Sequence, residues 1–160
     1  MNASLVIRNR QRKVRLDQRR LARIARELLR DALHVDEFEI GLFIVGSARM
    51  AELNRTHLQH EGSTDVITFA YQESPGEGVP PRPLQADIFL CIDEAIRQAR
   101  QYRTSWQSEL VRYLIHGLLH ACGYDDLQPA KRRRMKREED RLLKRAGRLF
   151  ALRALGGRRT

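Results

Sequence analysis

At 160 residues, with 42% hydrophobic and 31% charged side chains, the chain suits one globular domain with room for a core. Its apolar runs fall well short of the roughly 20 residues that cross a bilayer, and the patch after Met1 is too short for a secretory signal, which argues against membrane and exported classes. A net charge of +10 and only two cysteines, Cys91 and Cys122, point to a reducing cytoplasm and a polyanionic partner.

Residues 3–7 read as a first strand. Asp17 then caps a helix whose stripe Leu21, Ile24, Ala25, Leu28, Leu29 and Ala32 buries one face, with its arginines mostly opposite. Residues 37–45 are rich in β-formers and bounded by Gly46-Ser47, and Ser47 opens a short helix to about His57. A polar loop over residues 57–63 leads into a third strand, 64–69. Residues 72–83 hold four of the five prolines and read as a surface loop. Residues 85–92 make a fourth strand, and Asp93 caps a helix to about Tyr102. Ser105 or Trp106 opens the next helix, apolar over residues 110–121, and Gln128-Pro129 opens a last, basic one in which Met135, Leu142, Leu143 and Ala146 bury an edge. One domain over residues 1–150 is expected, with a basic, frayed tail at 151–160; the order of strands and helices fits α+β or α/β.

The chemistry concentrates in the fourth helix. His116 and His120 are four apart, so they project from one face, one turn apart, and two imidazoles can grip one metal ion. Gly123 supplies the left-handed residue that ends a helix, which lets Asp125 or Asp126 return toward the histidines as a third ligand. Three protein ligands with an open position describe a catalytic zinc site, which lowers the pKa of bound water. Cys122 lies about 200° around the helix from His120 and reads as a small buried hydrophobe. Asp65 and Asp87, each on an otherwise apolar strand, are further acids near the expected cleft, and a carboxylate there is costly unless paired or functional.

Charge is unevenly spread. Residues 8–30 carry ten Lys/Arg against two acids and residues 131–160 thirteen against three, so the centre of the chain is acidic. Basic ends around a metal-bearing centre suit a nucleic acid gripped at its flanks, with Arg12, Lys13, Lys131, Arg132, Arg133 and Arg134 as the candidate phosphate contacts.

The stretch His116-Gly-Leu-Leu-His120-Ala-Cys-Gly123-Tyr-Asp-Asp126 resembles the hallmark His-Gly-x-Leu-His-x-x-Gly-Tyr-Asp-His of the YbeY-type bacterial endoribonucleases and rRNA maturation factors. Leu53-Asn54, residues 64–69 (Thr-Asp-Val-Ile-Thr-Phe) and Ala86-Asp87-Ile88 are similar to further segments of that family, and the likeness covers roughly residues 3–147. The resemblance implies an α+β single domain: a small mixed four-stranded sheet packed with about five helices, the metal-binding helix central. It implies metal-dependent, single-strand-preferring RNA hydrolysis in rRNA maturation and small-subunit quality control, with rRNA, the ribosomal small subunit and its proteins as partners. By resemblance the metal ligands are His116, His120 and Asp126, with Asp125 as fallback and Zn2+ as the ion; the carboxylate also admits Mn2+ or Fe2+. Two departures stand out: Asp126 occupies the place of the family's third histidine, and Leu58 that of an arginine lining the RNA side of the cleft. Two other functions compete. The second departure fits a non-enzymatic rRNA-binding assembly factor with a structural metal. The His-x-x-x-His frame also fits a metzincin-like protease, although Gly117 stands where such enzymes carry their glutamate base.

Overall fold

The structure is a computed structural model that describes residues 2–58 and 64–157. The remainder of the polar loop (residues 59–63, His60 among them) and residues 158–160 lie outside the described residues.

Strand β1 (Ala3–Asn9) alternates half-buried Ala3, Leu5 and Ile7 with exposed Ser4, Val6 and Arg8, the period of a sheet covered mainly on one face. Strands β2 (Phe38–Val45), β3 (Val66–Ala70) and β4 (Leu84–Cys91) complete a mixed sheet of order β1-β2-β4-β3. β1 and β4 run parallel to β2, and β3 runs antiparallel to β4.

Among the described residues five α-helices accompany the sheet, as the α+β expectation required. In α1 (Gln18–Glu27) the Asp17 carboxylate accepts from the Arg20 N–H at 3.0 Å, and Leu21, Ile24 and Ala25 are buried. A π-helical turn, Leu28–Ala32, extends that face with Leu28 and Leu29. α2 (Ser47–Leu53) continues into a second π-turn, Asn54–Leu58. α3 (Ile92–Tyr102) corrects the sequence reading: Cys91 is its N-cap, and Asp93 lies within the first turn. There Asp93 accepts the Ser47 N–H at 2.7 Å and pairs with Lys13, so it ties α3 to α2 and to the loop after β1. α4 (Trp106–Ala121) is capped by Ser105, whose hydroxyl accepts from the Ser108 N–H at 3.1 Å. α5 (Pro129–Leu149) opens on a proline, which lacks only an N–H the helix start leaves unpaired.

The larger core joins α1, α3, α4 and α5 to the sheet face carrying Phe38, Ile40, Leu42, Ile88 and Leu90. Ten of the sixteen α4 residues are buried, and each fully buried leucine among them contributes about 2 kcal/mol of transfer free energy. On the opposite face a smaller cluster packs Met50 and Leu53 of α2 over Val45, Ile67 and Cys91, with Phe43, Phe69 and Phe89 alongside. The expected frayed tail is replaced over Leu152–Gly156 by a 3-10 helix: Leu155 is fully buried, and its carbonyl accepts the Asp17 N–H at 2.8 Å. A leucine at that position gains enough burial to dock a segment that composition alone marks as loose.

Candidate metal centre

Two glycines set the register of the site. A Cβ on Gly117 would stand 2.8 Å from Ile88 Cγ2 and 3.0 Å from Thr68 Oγ1, so α4 lies against the sheet at this point. With Gly117 facing the sheet, His116 is turned toward α5. A glutamate at 117 would have to displace Ile88 and Thr68, which removes the structural basis of the protease reading. Gly123, at φ +95°, ends α4, and a Cβ there would meet Ser74 Oγ at 2.4 Å and the Gly76 carbonyl at 2.5 Å. The Pro-rich loop is thereby pinned to the end of α4, with the Gly78 N–H donating to the Cys122 carbonyl at 3.0 Å.

The turn after Gly123 brings Asp126 back, so that its Oδ2 lies 3.6 Å from His116 Nε2. Two donors each about 2.1 Å from a tetrahedral ion are separated by about 3.4 Å, so this pair is spaced to share one metal. His120, one turn further along, is exposed and does not join them. Among the described residues no three His, Cys, Asp or Glu side chains converge enough to hold an ion. Asp125 is engaged elsewhere: its Oδ1 accepts the Leu127 N–H at 2.8 Å and shapes the turn itself. Cys122 is fully buried, and burial pushes its thiol up to about 12, the inert small hydrophobe its helix position predicts.

The residue that sequence reasoning missed is Glu139. It is 7% exposed on α5, and its Oε2 lies 2.9 Å from His116 Nδ1. Arg112 on α4 donates to Glu139 Oε1 at 3.0 Å and to Asp140 Oδ1 at 2.9 Å, while Lys136 stands 3.6 Å from Glu139. With Glu139 accepting from Nδ1–H, the neutral form of His116 carries its lone pair at Nε2, on the side of Asp126, which is the carboxylate–histidine arrangement that orients a metal ligand. A signal existed: Met135, Glu139, Leu142 and Ala146 follow one another at helical spacing, so Glu139 occupies a core position of the α5 stripe.

Electrostatics bind this group together. Burial pushes the His116 imidazolium down, but the Glu139 hydrogen bond and the charges of Glu139, Asp126 and Asp65 outweigh it and hold its pKa above 6.5. Burial likewise pushes Glu139 up, and the hydrogen bonds from His116 and Arg112 reverse that and hold it below 4.5. A cleft of about 470 Å³ opens beside the pair, lined by Asp65, Gln98, Glu109, Tyr113 and Lys136 among others.

The remaining candidates divide. Asp65 lines this cleft, its Oδ1 accepting the adjacent Val66 N–H at 2.8 Å. Asp87, expected beside the same cleft, instead faces the opposite side of the sheet, because β4 places Ile88 against α4 and its neighbours on the other face; there it accepts from the Tyr71 hydroxyl at 2.6 Å. Arg132 donates to the Asp126 carbonyl at 3.0 Å. Arg134 is paired with Glu77 at 2.7 Å and Lys13 with Asp93, whereas Arg12 and Arg133 are exposed. Lys131 is half-buried.

The family model described as endoribonuclease YbeY matches residues 6–147. The chain belongs to this family. It is 42% identical over 126 residues to the endoribonuclease YbeY of Anaeromyxobacter sp., a match covering 79% of this chain and 64% of that one. With the endoribonuclease YbeY of Syntrophotalea carbinolica it shares 35% identity over 141 residues, 87% of this chain and 93% of that one. A match to the Myxococcus xanthus endoribonuclease YbeY, at 39% identity, takes in only 37% of that longer protein. The fold is that of a Thermotoga maritima protein solved in solution, with a TM-score of 0.61 at 21% identity, covering 89% of this chain and 88% of that one. The described residues include no helix long and apolar enough to cross a membrane.

Proposed function

We propose that the protein is a metal-dependent endoribonuclease that cleaves single-stranded segments of rRNA during small-subunit maturation and quality control in the cytoplasm. The observation that carries this reading is His116: its Nδ1 is occupied by Glu139, and its Nε2 lies 3.6 Å from Asp126 at the mouth of an open cleft. His116, His120 and Asp126 would hold a zinc ion, the carboxylate also admitting manganese or iron. His120 is exposed one turn along the same helix, where it would complete the ligand set. When bound, the ion supplies a Lewis acid and a water of lowered pKa.

The chain's own residues do the remaining work. Glu139 fixes the His116 tautomer, Arg112 and Lys136 keep Glu139 ionised, and Arg132 offers a guanidinium beside Asp126 where a phosphate would lie.

A second reading, an rRNA-binding assembly factor whose metal is structural, is favoured by Leu58 alone. Elemental analysis decides the first step: about one zinc per chain is expected, lost in His116→Ala and in His120→Ala, and full stoichiometry in both variants rejects the site. Single-turnover cleavage of a structured rRNA fragment, metal-loaded against chelated, decides the second. Metal-dependent cleavage supports the enzyme; binding without cleavage under any metal supports the assembly factor.

A further inference from the structure

The sheet face opposite α4 is only half covered. Met50 and Leu53 close over Phe43, Phe69 and Phe89 toward the ends of β2 and β4, but the starts of those strands are bare. A cavity of about 450 Å³ lies over them, within the range of ligand clefts, and its lining includes Val6, Arg8, Gly41, Tyr71 and Asp87.

The side chains there are arranged with care. Tyr71 is 62% exposed, yet its hydroxyl is fixed to Asp87 Oδ2 at 2.6 Å, so the ring is presented to solvent in one orientation. Asp87 Oδ1 overhangs Gly41, where an added Cβ would approach it to 2.4 Å; only glycine leaves that carboxylate oxygen its place above the strand. The other acid of the cavity, Glu39, already accepts from Gln85 Nε2 at 3.2 Å. Arg8 adds an exposed cation on β1. Tyr71 also lines a second groove, together with His120, Ser74 and Gly123 at the end of α4. One aromatic ring therefore joins the His120 side of the metal centre to the open sheet face, around the edge of β3.

We propose that this half-open face docks a base of single-stranded RNA leaving the metal centre, and that it selects bases bearing an exocyclic amino group. The proposal rests on the RNA reading given above. An exposed aromatic ring on a sheet is a stacking surface for any base. A carboxylate only accepts, so it matches the amino groups of cytosine, adenine or guanine. Uracil offers a single N–H between two carbonyls, which meet the same carboxylate unfavourably. Arg8 is placed for the adjoining phosphate.

Fluorescence anisotropy with short, cleavage-resistant 2′-O-methyl oligocytidine and oligouridine tests the assignment on the full chain. Oligocytidine should bind about tenfold more tightly, the worth of one hydrogen bond to a charged acceptor. Asp87→Asn keeps the shape but gives the group a donor, so the cytidine-to-uridine ratio should fall to near one. Tyr71→Ala, a change at an exposed side chain, should weaken both oligomers by about tenfold, since stacking does not distinguish bases, and undiminished binding of both would remove Tyr71 from the base site. If both oligomers bind but with equal affinity, or the ratio survives in Asp87→Asn, the base site is overturned and the RNA reading stands. If neither binds at low salt, both fall.

Discussion

Removing the Glu139 carboxylate separates a ligand-orienting role from a merely structural one. In Glu139→Ala, His116 Nδ1 and Arg112 Nη1 each lose a charge-assisted hydrogen bond, at 2.9 and 3.0 Å. Losing one partner of a buried pair costs about 3–5 kcal/mol. Here the figure is discounted, because Arg112 keeps Asp140 at 2.9 Å and both cations are about 30% exposed. About 2–3 kcal/mol is expected, which at roughly 2–4 °C per kcal/mol lowers the metal-free melting point by about 4–12 °C. Glu139→Gln preserves an acceptor for Nδ1–H but not the charge, so its melting point should fall by less than half as much. Zinc affinity carries the decisive reading: loss of a carboxylate that orients a ligating histidine weakens metal binding about 10–100-fold. Melts with a chelator and zinc competition against a calibrated chelator measure the two effects independently. A lowered melting point with unchanged zinc affinity in both variants would show that Glu139 braces α4 against α5 without orienting His116.

Three further outcomes follow from the same geometry. The pH dependence of the metal-free protein has a definite sign. His116 is held above 6.5, so its pairing stabilises fully below that value and is lost as pH rises through the raised pKa; Glu139 is held below 4.5, so its contribution is present above that value and lost as pH falls through the lowered one. Chelated melts should therefore show this contribution greatest between about pH 4.5 and 6.5, with the alkaline decline flattened in His116→Gln; a decline of equal size in that variant assigns it elsewhere. Gly117→Ala should cost about 1–3 kcal/mol by overpacking against Ile88 and Thr68, read from a denaturant melt, and a neutral result means that α4 lifts freely from the sheet. Asp126→His should retain one metal per chain and discriminate more sharply for zinc over manganese, as competition binding would report, and unchanged selectivity removes Asp126 from the ligand set.

The fold was legible wherever period and punctuation agreed. The β1 alternation, the Asp17 and Ser105 caps, Pro129 and Gly123 all carry local chemistry that acts within a few residues, and each appears where the sequence places it. What eluded sequence reading depends on neighbours distant in the chain. Asp93 reads as a helix cap until α2 arrives 46 positions away in sequence and takes its carboxylate. Asp87 reads as a cleft acid because only the strand's facing, not its acidity, excludes it from the His116 side. Glu139 was hidden for the opposite reason, since a glutamate in so basic a helix passes for surface until its place among Met135, Leu142 and Ala146 is noticed. Spacing puts His116 and His120 one turn apart on α4, but only His116 lies beside Asp126, and that approach is set by a turn whose geometry residue types alone do not determine.

The basic ends also divide once they are placed. Arg133, Arg137, Lys144 and Arg148 fall within about 60° of one another around α5, a stripe about 22 Å long at 1.5 Å per residue. All four are exposed and make no ion pair among the described residues; Asp140 lies on the same stripe but is occupied by Arg112 and Lys136. Glu139, which marks the direction of His116, lies roughly 120–180° away around the same helix. The stripe therefore points away from Glu139 and His116. Under the RNA reading proposed above it would hold a distant part of an RNA large enough to wrap the domain, while Arg132, seven residues before Glu139 and on its side of the helix, would remain beside Asp126. Neutralising the four stripe cations should lower the salt slope of binding to a structured rRNA fragment by up to about 0.9 per cation, and slow its association. Cleavage of an oligonucleotide too short to leave the cleft should proceed at the parent rate, whereas Arg132→Ala should impair it. Equal impairment of short and long substrates by the stripe variant would place those cations at the cleft and overturn this division of labour.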